Sequence, residues 1–488
     1  MTSQTVDHVA LLPLYAAAGT AILVLLAELI TGRRAAVAGA LVAGGLATAV
    51  CAIAAGGTRR GTFCAPDGAA CSWVPSPLAV AAAVVFALLT VGVLALSLPV
   101  LRLGSAPAGE FCFLLASSMT GGVVVGYAGD LITLIVGLET LTLPLYVLVG
   151  LRRFAPGERV STAGASASIT FFLISVVSTA IALLGVALNY AVTGAIHLDR
   201  LIDATGPAVP VAEVGVALLV VGLAFKVAAV PLHAWAPPTY EGAPVPVAAY
   251  LSTASKLGGV LALALVVSRL ESSAVTAVLA VLTMTVGNLV ALRQTRMVRL
   301  LAWSSIAQAG YILAALALGE AGVRAALAYA VFFVVLEFTA FGVVVALRPA
   351  GADGGELTAY RGAGRRSPWV AAALVLAFAG LAGLPPGLAG LFAKVTVVDV
   401  LIDQGWGWLA GVVALNAVIG LAYYVRAAAV LYSAAPRVGV PVADPQLLDD
   451  ATHPRPPVGR PVAAALIGAA AVAIALGFAP QLLFAALT

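Results

Sequence analysis

Charge is scarce in this 488-residue sequence: 9% of its residues are Asp, Glu, Lys or Arg, where a soluble globular chain carries about 25%. Histidine and cysteine occur four times each. His8, His197, His233 and His453 lie far apart, and Cys51, Cys64, Cys71 and Cys112 lack the clustered spacing of a zinc or iron–sulfur site. That argues against a redox centre in the chain itself. No run of basic residues reads as a nucleic-acid-binding arm. The first ten residues hold no Lys or Arg, so the first apolar run reads as a retained span and not as a cleaved signal peptide. Lysine is the rarest charge. Of 25 basic residues only Lys226, Lys256 and Lys394 are lysines, and none of them stands in a polar loop.

What the sequence has instead is hydrophobicity: 62% of residues are apolar, with a mean hydropathy of +1.10. About 20 consecutive apolar residues cross a bilayer, and such runs recur throughout. Fourteen are delimited by charged or Pro/Gly-rich breaks: 9–30, 35–55, 78–100, 110–128, 131–151, 166–190, 211–232, 245–268, 273–292, 300–318, 322–347, 368–398, 408–433 and 460–485. They are too long and too continuously apolar for barrel strands, which leaves helices as the way to satisfy the backbone in lipid. The expected fold is an all-α integral membrane protein, one polytopic domain of about 14 transmembrane helices. It divides into N-terminal helices (1–108), a first repeat (109–268), a second repeat (273–433) and a C-terminal loop and helix (434–488). Loops after odd-numbered spans hold sixteen arginines and loops on the other side five, with Arg426 inside a span. The arginine-rich side is expected to be cytoplasmic, with both termini outside. Cys64 and Cys71 then share a short outer loop, where a disulfide and two free thiols both remain open.

An ionisable group deep in a membrane span costs at least ~2.5–3.5 kcal/mol and by default marks a functional site. A buried lysine can exchange its proton, whereas arginine effectively never does. Lys226 stands in GLAFKVAAVP, Lys256 in YLSTASKLGG and Lys394 in AGLFAKVTVV. Glu139, in LIVGLETLTLP, is the acidic counterpart and needs a cationic partner on a neighbouring helix; a Glu–Lys pair that forms and breaks would act as a switch. Pro231 follows Lys226, and Leu384-Pro385-Pro386-Gly387 precedes Lys394. Spans seven and twelve are therefore expected to be broken, as at ion sites of transporters. Lys226-Val227 with Val230 looks like Lys394-Val395 with Val398, five spans on. The odd offset suggests two inverted five-helix repeats, spans four to eight and nine to thirteen. His233, after the first break, reads equally as a structural histidine or a proton relay. Glu337, in VVLEFTAF, is a further intramembrane carboxylate. Glu28 lies near a span end and is given no role.

The segments FKVAAVPLHAWAPPTYEGAPVPVAAYLSTASK, NLVALRQTRMVRLLAWSSIAQAGYILAAL and LAGLPPGLAGLFAK resemble subunit N of bacterial NADH:quinone oxidoreductase, respiratory complex I. The likeness runs over nearly the whole chain and is most specific through 130–430. It implies the antiporter-like subunit family: fourteen helices in two inverted repeats, within the proton-pumping membrane arm of an enzyme complex. By this resemblance Glu139 matches the essential glutamate of helix five, Lys226 its lysine partner on helix seven, Lys256 the central lysine of helix eight, and Lys394 the terminal ionisable residue of helix twelve. It also implies that NADH, FMN, iron–sulfur clusters and quinone belong to partner subunits, with other membrane-arm subunits and a peripheral arm as neighbours in a bacterial cell membrane. Three residues depart from the family pattern. Gln308 stands where a histidine is common, Thr170 where helix six commonly has a lysine, and Glu337 where asparagine is usual. Two other assignments remain open: a subunit of a multi-subunit cation/proton antiporter, and a scaffold subunit of a hydrogenase-like membrane complex.

Overall fold

The computed structural model describes residues 6–56, 60–65, 70–104, 106–151, 163–201, 206, 208–434 and 458–486. Of the arginines behind the expected orientation, Arg59, Arg152, Arg153, Arg159, Arg437 and Arg455 lie outside these residues, as does most of the loop before the last helix. Each of the fourteen apolar runs has a helical counterpart. In order these are α1 (Leu12–Thr31), α2 (Arg34–Ala55), α3 (Pro77–Arg102), α4 (Ala108–Tyr127), α5 (Leu131–Gly150) and α6 (Ala163–Thr193). Then come α7 (Val209–Ala224) with α8 (Ala236–Gly242), and α9 (Val245–Tyr250) with α10 (Lys256–Val267), followed by α11 (Ser273–Ala291), α12 (Met297–Leu316) and α13 (Glu320–Leu347). After the short α14 (Ala363–Arg366), α15 (Pro368–Ala382) and α16 (Leu388–Asp403) form one interrupted span. The chain continues through α17 (Gly407–Tyr432) to α18 (Arg460–Phe478) and α19 (Pro480–Ala486). Among the described residues, twelve helical segments are long and apolar enough to cross a membrane; α12 and the α15/α16 pair fall outside that count.

Local chemistry sets several helix starts. Ser76 accepts from the Ala79 amide at 3.1 Å before Pro77, and Asp130 accepts from the Thr133 amide at 2.7 Å and from its hydroxyl at 2.8 Å; each satisfies donors that a helix N-terminus leaves free. Small residues then let helices touch, the usual contact between helices in lipid. A Cβ at Gly121 would lie 2.0 Å from the Leu141 amide, so α4 and α5 meet backbone to backbone; Gly287 and Gly310 do the same between α11 and α12. Helices α9, α10, α12 and α13 form the buried centre, while α1, α2, α6 and α18 turn large apolar side chains such as Leu29, Ile53, Val177 and Ile467 outward. Such faces suit lipid.

Both ends of the bundle are tied. At one end strands β1 (Thr62–Cys64) and β2 (Cys71–Trp73) pair antiparallel, closed by a Cys64–Cys71 disulfide. The Trp73 indole donates to the Ala10 carbonyl at 2.8 Å and stacks on Tyr127. At the other end Arg296 pairs with Glu241, with Asp353 at 2.5 Å and with Glu356 at 3.8 Å, while Arg299 reaches Glu241 at 3.0 Å. This cluster fixes the end of α8 to the start of α12 and to the loop after α13.

Two spans are broken, as the prolines predict, and the breaks share one backbone pattern. After α7 a single 3₁₀ turn (Phe225–Val227) ends at Ala228, whose φ is +59°. The Ala229 amide donates to the Ala224 carbonyl at 3.0 Å and the Ala228 amide to the Phe225 carbonyl at 2.8 Å. After α15 the Leu384 amide donates to the Ala379 carbonyl at 2.8 Å and the Gly383 amide to the Gly380 carbonyl at 2.9 Å, with Gly383 at φ +82°. Each is a Schellman cap, followed by a cis peptide at Val230–Pro231 and at Pro385–Pro386. The backbone bonds align Lys226 with Leu381 and not with Lys394. The two Lys-Val segments are thus not equivalent in register: Lys226 precedes its break and Lys394 follows one.

Candidate functional site

The three lysines, Glu139 and Glu337 lie in three adjoining clusters. In the first, the Lys226 ammonium spends its three N–H groups on Glu139 Oε1 at 2.8 Å, Thr142 Oγ1 at 3.0 Å and Ser175 Oγ at 3.0 Å. The Glu139 carboxylate also accepts from the Thr179 hydroxyl at 2.5 Å, and the Tyr146 hydroxyl donates to Ser175 at 2.5 Å. Lys226 is buried, while the Glu139 side chain keeps 23% of its surface exposed. One face of α5 supplies both Glu139 and Thr142, three residues apart. The 3₁₀ turn ending α7 carries Lys226 towards them.

Helix α10 brings the second cluster against the first. A Cβ at Gly259, one turn beyond Lys256, would lie 2.8 Å from the Lys226 Cβ, so glycine permits the contact. Lys256 follows directly on a π-helical turn, Leu251–Ser255, a feature frequent at functional sites. Its ammonium donates to Ser305 Oγ at 2.6 Å; Ser305 and Ser252 hydroxyls share a 3.0 Å hydrogen bond; and Ser252 donates to Glu337 Oε1 at 2.8 Å. Lys256 and Glu337 are thus joined through two serines, all four residues being buried. A small cavity beside Lys256 is lined by Val227, Val260, Ile312, Phe333 and Val334.

The third cluster follows along α12, where Gln308 stands one turn after Ser305. Its amide Nε2 donates to the Leu381 carbonyl and to the Tyr424 hydroxyl, each at 3.0 Å, and its Oε1 accepts from the Tyr329 hydroxyl at 2.5 Å. Lys394 donates to the Leu381 and Ala382 carbonyls, both at 2.8 Å. It therefore caps the carbonyl end of α15, where the helix dipole favours a cation, and its ammonium lies 5.2 Å from the Tyr311 ring centre.

Residues 128–420 match the family described as "NADH:quinone oxidoreductase/Mrp antiporter, TM". The chain is 58% identical to NADH-quinone oxidoreductase subunit N of Salinispora tropica, with 98% of each chain covered. The chain belongs to this family. A second subunit N, from Streptomyces griseus, is 43% identical over 86% of this chain and 82% of its own. Among solved structures, a chain of respiratory complex I from Thermus thermophilus, determined with bound aureothin, is 27% identical with a TM-score of 0.79, covering 97% of this chain and 98% of its own. A chain of the Mrp complex from Dietzia is alike in fold, with a TM-score of 0.84 at 22% identity over 98% and 96% of the two chains. The matched family region contains Glu139, Lys226, Lys256, Gln308, Glu337 and Lys394, with every hydrogen-bond partner named above for them except Tyr424, a partner of Gln308.

Set against the sequence reading, Glu139 and Lys226 meet directly, and Gln308 and Lys394 share the Leu381 carbonyl. His233 is not drawn into the row: it lies in the first break, partly exposed, with its ring 5.3 Å from Trp303 and Nδ1 3.2 Å from the Pro231 carbonyl oxygen. Thr170 lies on α6, half-buried. The sequence reading did not single out Thr142, Ser175, Ser252, Ser305 or Tyr424. Two had a readable signal, since Thr142 follows Glu139 by three residues and Ser252 precedes Lys256 by four, the spacings that share a helix face.

Proposed function

We propose that this chain is a proton-translocating membrane-arm subunit of an NADH:quinone oxidoreductase, carrying protons along Lys226, Lys256 and Lys394 with Glu139 as the switch. The observation that carries this is the row itself: buried lysines in an apolar bundle, each held by hydroxyl or carbonyl groups, with one carboxylate paired to the first. Protons enter from the cytoplasm near Lys226, cross to Lys256 and leave outward by Lys394. Quinone reduction elsewhere in the complex opens and closes the Glu139–Lys226 contact, which shifts the proton occupancy of the lysines beyond it. NADH, FMN, iron–sulfur clusters and quinone belong to partner subunits, and other membrane-arm subunits and the peripheral arm are the neighbours. Two inverted repeats, spans four to eight and nine to thirteen, underlie the row; the matching Schellman caps in α7 and α15 support that division. The membrane is the bacterial cell membrane, with both termini outside.

The test replaces Lys256 with Met in the whole complex, reconstituted in liposomes, and measures pumped protons per NADH oxidised. A lower ratio in a fully assembled complex is expected. An unchanged ratio removes Lys256 from the path, and sodium-dependent transport without NADH or quinone would favour an antiporter.

A further inference from the structure

We propose that Glu337 is the terminal acceptor for the Lys256 proton, relayed through the Ser305 and Ser252 hydroxyls. The inference rests on the proton-carrying reading above and names the group that takes the proton onward from Lys256. Three hydrogen bonds of 2.6, 3.0 and 2.8 Å connect the ammonium to the carboxylate without a gap. Their polarity suits transfer from the ammonium to the carboxylate. Lys256 donates to Ser305, Ser305 can donate to Ser252, and Ser252 donates to Glu337, so each hydroxyl accepts one proton and gives one. In the step an N–H bond of Lys256 breaks and an O–H bond forms on Ser305; the serine protons move one place along; and an O–H bond forms on Glu337 Oε1. A lysine ammonium and a carboxylate become an amine and a carboxylic acid, with no electron moved.

Two further observations separate this role from a purely structural one. Glu337 is fully buried, and its Oε2 makes no hydrogen bond among the described residues. A carboxylate kept only for architecture would have its lone pairs occupied, because an incompletely paired buried charge is destabilising. Gln308, in contrast, is locked at both ends by Leu381, Tyr424 and Tyr329, and a neutral amide offers no titrating group. It is a positioning residue for the α15 carbonyls.

The test is Glu337→Gln in the whole complex, a change that keeps shape and can still accept from Ser252. Protons pumped per NADH should fall by as much as in Lys256→Met, with Glu337→Asp recovering part of the loss. A wild-type ratio in Glu337→Gln alongside a lowered ratio in Lys256→Met overturns the Glu337 role and leaves the lysine row standing. Wild-type ratios in both overturn the two together. If Glu337→Gln does not assemble, Ser252→Ala decides: it keeps the carboxylate and removes the bridge, so a lowered ratio sustains the proposal and a wild-type ratio overturns it.

Discussion

Lys226 meets Glu139 at 2.8 Å in a setting where its other two N–H groups go to threonine and serine hydroxyls. Its ammonium is fully satisfied among described residues, and this makes the pair vulnerable in one particular way. Removing one partner of a buried ion pair typically costs ~3–5 kcal/mol, whereas removing both for apolar groups is often near neutral. The partial exposure of Glu139 moves the single-variant cost towards the lower end. Glu139→Gln is therefore expected to lower the thermal midpoint of the detergent-solubilised complex more than the double variant Glu139→Gln/Lys226→Met. Both should lose proton pumping. A double variant whose destabilisation equals the sum of those of Glu139→Gln and Lys226→Met measured singly would show that the two residues contribute independently and are not energetically a pair. Charge and hydropathy placed both residues in the membrane without saying which lysine Glu139 would meet; the family resemblance implied Lys226, and that is the lysine the fold brings to it.

At the scale of elements, the interrupted spans decide where charges sit. Lys394 stands on the helix after its break and reaches back to the carbonyl end of the helix before it, so Leu381 and Ala382 become its ligands. Gly383 makes this possible twice over. Its φ of +82° suits glycine, and a Cβ there would stand 2.9 Å from the Lys394 Cδ. Gly383→Val should cost on the order of 1–3 kcal/mol in backbone strain and displace the lysine from its carbonyls. The expected result is an assembled complex with a lowered ratio of protons to NADH, measured in liposomes; a ratio equal to wild type would show that the Lys394 cap is dispensable. The existence of the breaks was legible from Pro231 and Pro385–Pro386. Their alignment was not: the Lys-Val likeness suggested one register and the Schellman hydrogen bonds gave another.

For the whole molecule the open quantity is sidedness. The disulfide-closed hairpin and the Arg296 cluster lie at opposite ends of the bundle, so locating one locates the other. With the arginine-rich end cytoplasmic, Cys64 and Cys71 face outside. In a Cys51→Ser background, mild reduction followed by a membrane-impermeant maleimide should label Cys64 and Cys71 on intact cells; Cys112 is buried in α4. Labelling confined to inverted vesicles would reverse the orientation and the direction assigned to proton flow. The disulfide itself was one of two readings open to the sequence: two cysteines seven positions apart fit a bridge or free thiols, and only the expected outer placement of their loop favoured the bridge. Pairing of β1 with β2 brings them together.

Hydropathy and the rarity of lysine determined most of the architecture. Apolar length fixes which segments become helices in lipid, proline fixes where two of them break, and the burial cost of charge makes three lysines and two glutamates stand out. Only the tertiary structure decided which of these groups meet. A span tells how deep a residue lies, but its facing depends on helix rotation and crossing, which come from packing against neighbours. Hence the Glu139–Lys226 contact, linking positions 87 residues apart and implied only by resemblance, takes its geometry from the meeting of α5 with the end of α7, and the two-serine bridge from Lys256 to Glu337 was visible only once α9, α10, α12 and α13 had been brought together.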